Sequence, residues 1–255
     1  MKKLAIFLCL TLIFAYITPF FSAHTHAAGN IEFIKDTEDE SIYRVNKNGV
    51  IYEYQEVVKT NKNKKTVKLK IYEVNGDKKK LVDNYKTTIT EVSEGLIEVE
   101  DEEGNVATID LRDDLVGSTT LEKNSDISFL ASQTGSGGSY LVDCRYIVYS
   151  DGKAQAIMNG VNPHYKNTTK NNSDFIRFQG HADNLVSHEK DIVTAGFASF
   201  ADDLIKALGA GKILSWTLIK TIVGGAVKVG PIGVGLSLWN YGSEWLDARE
   251  DYIEI

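Results

Sequence analysis

The sequence predicts an α+β protein: an N-terminal antiparallel β meander, then C-terminal strands followed by an apolar, Gly-rich helical hairpin. Three observations lead there. Between residues 31 and 111, apolar and charged residues alternate with period two, and the breaks carry Asn-Gly and Glu-Gly pairs. From Asn184 onward the apolar period lengthens toward that of a helix. The stretch 212–239, KILSWTLIKTIVGGAVKVGPIGVGLSLW, is apolar on nearly every side and carries charge only at Lys212, Lys220 and Lys228.

The first element, 1–28, reads as a secretory signal peptide. Lys2 and Lys3 precede an apolar run of about fourteen residues from Leu4 to Ile17, which is short for a membrane span. Pro19 breaks the run, and cleavage after Ala27 or after Ala28 fits equally well. The expected location is therefore extracellular. Removal of this segment takes the formal charge from −7 to −9. Such an acidic chain argues against nucleic acid as a partner, because neutralising phosphates needs a basic face. Of the two cysteines only Cys144 would remain, so an internal disulfide is excluded. Its apolar neighbours predict a small buried hydrophobe rather than a reactive thiol.

The meander follows, as a β-rich domain or pro-region over 29–112. SIYRV, VIYEYQEVVKT, TVKLKIYEV, YKTTITEV, LIEVED and VATIDL are the strands, with NKNG, NKNKK, NGD, SEG and EEGN between them. The lysines and glutamates are the wet face. Residues 113–139 lose the alternation and end in TGSGGS, which lacks the lysine of a P-loop and reads as a flexible linker open to proteolysis.

The last region, 140–255, opens with two strands, YLVDCRYIVYS and KAQAIMNGV, on either side of DGK. DFIRFQG is expected as a third strand and NPHYKNTTKNNS as a loop. Leu185, Ile192, Phe197, Phe200, Leu204 and Leu208 then recur at helical spacing, with a break near Gly196. Two helices, 212–229 and 232–247, should flank the break at Gly230, Pro231 and Gly233.

GHADNLVSHE holds the only concentration of catalytic residue types: His181, Asp183, His188 and Glu189. The histidines stand seven apart rather than four, so the metal-binding helix pattern is missing. Asp183 or Asn184 fits better as a helix cap. No catalytic residue, metal ligand or cofactor is expected, and an extracellular hydrolase using His181, Asp183 or His188 is the weakest reading.

From Leu204 to Ser243 there is no acidic residue, although the chain is acidic overall. The lysines in that span, Lys206, Lys212, Lys220 and Lys228, would meet anionic lipid headgroups. Trp216, Trp239, Tyr241 and Trp245 would sit at the membrane interface. An eighteen-residue helix reaches about 27 Å against about 30 Å of hydrocarbon. Lys220 near its middle costs about 2.5 to 3.5 kcal/mol, which leaves the helix marginal as an independent span. It would lie at the interface or insert with partners. The competing reading is a helical core packed on the C-terminal strands.

The layout is similar to that of large secreted bacteriocins of the geobacillin type from Bacillus-like organisms. A signal peptide precedes a charged β-rich leader with the segment GLIEVEDEEGNVATIDL. The glycine-rich junction TGSGG and an apolar Gly/Ala/Val helical end follow. The resemblance implies a heat-sensitive protein that kills related bacteria at their membrane. The function expected is therefore a secreted, membrane-active antibacterial protein acting through its C-terminal hairpin. Its partners would be bacterial membrane lipids, with a processing protease and an immunity protein or self-association besides. The alternative is a secreted binding or inhibitor protein whose apolar helices are only core.

Overall fold

A computed structural model describes residues 31–47, 49–110, 132–194, 196–226 and 232–255, and its Ile31–Ile255 segment clusters as a single unit. The expected signal peptide, residues 113–131 of the expected linker, Lys228 and the break at Gly230 and Pro231 lie outside the described residues.

The alternation of the first half becomes a seven-stranded antiparallel sheet in strict sequence order. Its strands are β1 (Glu32–Asp36), β2 (Glu40–Lys47), β3 (Val50–Asn61), β4 (Lys64–Asn75), β5 (Lys78–Ser93), β6 (Leu96–Glu100) and β7 (Val106–Asp110). The register puts one parity on the core face: Tyr43 and Val45 of β2, Val58 of β3, Val67 and Leu69 of β4, Ile89 of β5, Ile97 and Val99 of β6 and Ile109 of β7 are buried. The other parity carries Lys59, Lys64, Lys68, Lys70 and Lys86, as a period-two pattern requires of a one-sided sheet.

A second sheet of four strands runs in the order β11, β10, β9, β8. These are β8 (Gln133–Ser139), β9 (Cys144–Tyr149), β10 (Lys153–Met158) and β11 (Tyr165–Thr169). Two expectations are corrected here. TGSGGS is not a flexible junction but β8, because its glycines let the strand lie close against β9 and against Ala182 and Asp183 of the helix that follows the sheet. A Cβ on Gly137 would fall 2.5 Å from the Tyr146 hydroxyl, and one on Gly138, whose φ is +93°, 2.3 Å from the Cys144 carbonyl oxygen. NPHYKNTTKNNS contains β11, an edge strand whose polarity reflects its exposure rather than a lack of structure.

The helices are α1 (Ser173–Thr194), α2 (Ala198–Gly209), α3 (Trp216–Ala226) and α4 (Ile232–Glu254). DFIRFQG is the start of α1 and not a strand: Phe175, Phe178, Ala182, Leu185 and Ile192 are its buried stripe. Asn172 caps it, its Oδ1 accepting the backbone N–H groups of Asp174 and Phe175 at 2.9 Å. Asp183 and Asn184 are therefore interior helix positions, and His181 lies within the helix. α1 runs along α4 and packs on β8 and β9; α2 packs on β7 and α4; α3 packs on β3 and α4. Sheet and helices share one continuous core. Gly235 and Gly242 of α4 explain part of the glycine richness, since Trp216 and the leucines 204, 208 and 214 pack directly against its backbone.

Candidate functional site

The region that sequence marks for membrane contact is, in the structure, a dock between the helical pair and the meander. It begins at the N-terminus of α3. The first amide groups of any helix lack intrahelical acceptors, and here a strand supplies one. Glu56 on β3 is fully buried; its Oε1 accepts the backbone N–H of Trp216 at 2.6 Å and the Tyr43 hydroxyl at 2.6 Å. Its Oε2 accepts the backbone N–H of Thr217 at 2.9 Å and the Thr217 hydroxyl at 2.5 Å. A carboxylate facing the positive end of a helix is also favoured by the helix dipole. The Ser215 hydroxyl accepts the next amide, that of Leu218, at 3.1 Å.

One turn on, Lys220 leans back to the meander. Its Nζ donates to Asp36 Oδ1 at 2.8 Å, to the Thr37 carbonyl at 3.0 Å and to the Ser41 hydroxyl at 3.1 Å. The Trp216 indole N–H donates to the other oxygen of Asp36 at 3.2 Å. Burial works to raise Asp36, but these hydrogen bonds outweigh it and hold the carboxyl below its ordinary value. Lys212, just before α3, is buried and donates to Asp101 Oδ2 and to the Asn105 carbonyl, both at 2.6 Å. The hydrogen bond from Lys212 draws Asp101 down to about 2. Lys47 of β2 adds a 3.0 Å ion pair to Asp247 of α4. Beside the dock a cleft of about 550 Å³ opens between Asp36, Val58, Thr60, Lys65, Thr217 and Lys220.

The aromatic residues expected at a lipid interface face the sheet instead. The Trp216 ring lies 4.8 Å from Phe33, and Trp239 meets Tyr43 edge-on at 5.3 Å and Tyr54 at 6.0 Å. Tyr241 and Trp245 are buried on α4, where the Tyr241 hydroxyl donates to Glu189 at 2.9 Å. Ser139 donates to the same carboxylate oxygen, so β8, α1 and α4 meet at Glu189. Of the predicted lysines among the described residues only Lys206 stands apart, exposed and paired with Asp202 and Asp203 within its own helix. Leu218, Ile222 and Leu238 are fully buried and Val234 nearly so.

No family model, curated protein or solved structure matches this chain.

The histidine cluster is dispersed along α1. His181 Nδ1 lies 2.7 Å from Glu244 Oε2 and its Nε2 lies 3.5 Å from Asp251, both on α4. Asp183 accepts the Tyr146 hydroxyl at 2.9 Å, and His188 is buried. Among the described residues no group of three or more His, Cys, Asp or Glu side chains could hold a metal ion. Cys144 is fully buried, and burial pushes its thiol well up, which keeps it protonated.

The Glu244 hydrogen bond raises His181 above its ordinary value, against burial. A raised folded value means that this contact stabilises fully below the unfolded histidine value and is lost as pH rises through the folded one. The α1–α4 seam should thus be tighter at pH 5.5 than at pH 8.5. His181→Ala should abolish that difference, measured as the midpoint of thermal unfolding at the two pH values. An unchanged difference would remove His181 from the account.

What sequence reasoning missed is the acidic half of the dock. Glu56, Asp36 and Asp101 sit among many acids of an alternating strand pattern. Only Glu56 gives a hint, as a charge at a position whose parity is otherwise apolar, between Tyr54 and Val58.

Proposed function

We propose that this is a secreted protein that perturbs bacterial membranes, with the meander acting as the shield of its α3–α4 pair. The observation that supports the reading is the charge matching of the dock. Lys212 and Lys220, the cations that would meet headgroups, are each held by a meander aspartate, and a meander carboxylate caps α3. Moving the pair from sheet to acyl boundary exchanges one apolar environment for another, so the hydrophobic contributions largely offset. The carboxylates then set the cost of opening, and anionic headgroups are chemically equivalent replacements for them.

The mode is interfacial. The described part of α3 has 11 residues and extends about 16 Å, half a hydrocarbon core. Among the described residues no helix is long and apolar enough to cross a membrane. Acid is a poor trigger: the Asp101 contribution is present above the ordinary carboxylate value and fades only as pH falls toward about 2. Competition by a lipid surface fits better.

The complete burial of Leu218 and Leu238 favours a second reading, a secreted binding protein in which the pair is permanent core. The two differ in one experiment, dye release from vesicles of anionic lipid at neutral pH. Residues 29–255 should release dye slowly. Asp36→Ala, which removes the charged partner of Lys220 and the acceptor of the Trp216 indole, should release it several-fold faster while its circular dichroism stays native. No release from either protein would leave the binding protein as the better account.

A further inference from the structure

The face of the meander opposite the helices carries a charge pattern that the dock does not use. Lys68 on β4 stands directly across from Lys86 on β5 and from Val57 on β3. Lys70 and Lys59 lie two residues along from Lys68 and Val57, on the same parity. All four lysines are exposed, and Val57 beside them is 45% exposed. Among the described residues none of the four has an ion-pair partner. By contrast, Glu53 on the same face is buried and held between Arg44 and Lys79. Like charges directly opposite each other in a sheet cost stability. This chain sets two opposite each other with a third and fourth alongside, although acids outnumber basic residues 35 to 28 overall.

We propose that this outer face is a docking surface for an anionic lipid bilayer. Lys59 and Lys70 lie on either side of the Lys68–Lys86 row, so with strands about 4.8 Å apart and alternate residues about 6.8 Å apart the lysines span a patch roughly 14 Å long. Lys68 is its centre, Val57 adds an exposed apolar side chain on the flank toward Glu40, and four exposed cations on one open face suit a plane of anionic headgroups. Glu40 on β2 and Glu98 and Glu100 on β6 share this parity and confine the cationic patch to β3, β4 and β5. The assignment deepens the membrane reading and rests on it. It also divides that reading into steps, because a sheet landing on its outer face keeps α3 and α4 on the far side. Capture through the lysines comes first, and opening of the dock second.

The test is sedimentation of the 29–255 protein with vesicles of phosphatidylglycerol and phosphatidylcholine, or of phosphatidylcholine alone, at low and high salt. Binding is expected only to the anionic vesicles and should weaken with salt. Each lysine near a charged surface contributes about fivefold in partition, so K68Q/K86Q should bind about 25-fold more weakly. Its thermal midpoint should be unchanged or higher, since a repulsive pair is gone. Equal binding of K68Q/K86Q and the unsubstituted protein overturns the assignment, as does lysine-dependent capture of an oligonucleotide without capture of vesicles. Dye release is scored separately. Release without lysine-dependent binding would sink this inference and leave the membrane reading intact, and binding without release would do the reverse.

Discussion

Glu56→Ala should be among the most destabilising single substitutions in the protein. The side chain is fully buried and accepts four hydrogen bonds, from Tyr43, from the backbone of Trp216 and from both donors of Thr217. Removing it leaves those donors in the core without an acceptor, at about 1 to 3 kcal/mol for each group that water cannot reach. A loss of about 3 to 5 kcal/mol follows, which in a domain of this size lowers the thermal midpoint by about 10 °C. Glu56→Gln should fall between, since its amide nitrogen would meet the Thr217 N–H with a second donor. The readout is thermal unfolding by circular dichroism, with Trp216 fluorescence to follow the N-terminus of α3. A midpoint within about 1 °C of the unsubstituted protein would show that the carboxylate does not hold the helix.

Gly138→Ala should be as severe, for steric rather than polar reasons. The added methyl would lie 2.3 Å from the Cys144 carbonyl oxygen and 2.8 Å from the Arg145 Cα, both backbone atoms of the paired strand β9, and 3.1 Å from Ala182 on α1. The φ of +93° adds its own penalty for any L side chain. Overpacking and the forbidden dihedral together cost about 2 to 5 kcal/mol. Gly135→Ala is the control: a Cβ there meets nothing within 4 Å, and stability should hardly change. Equal stability of the two variants would refute the close packing of β8 on α1.

These two positions also mark what the sequence could and could not convey. The meander was legible almost strand by strand, because a one-sided sheet writes its burial directly into period two. The helical pair was legible too, since Leu218, Ile222 and Leu238 leave no polar stripe. TGSGGS was misread because a glycine run has the same composition whether it serves freedom or close approach; the difference lies in the fold that sets Cys144 and the distant Ala182 against it. DFIRFQG was misread because Ile176 and Phe178 alternate over so short a window, while the i, i+3 pair Phe175 and Phe178 is the one the helix buries. Lys212, Lys220 and the tryptophans were read as a lipid-facing set because their partners, Asp101, Asp36 and Tyr43, lie more than a hundred residues away. Glu56 was passed over although its parity is otherwise apolar, and only its position on β3 beneath the start of α3 explains it.

The order of the dock along the chain has a consequence for biogenesis. Every pairing in the meander joins neighbouring strands, so its contacts are local, and such topologies fold early and fast. Synthesis delivers the chain N-terminus first. The template that receives Trp216 and Thr217 can therefore be complete before residue 216 leaves the ribosome. Vectorial emergence would then deliver the greasiest segment onto a finished surface, making the first half of the polypeptide an intramolecular chaperone for the second.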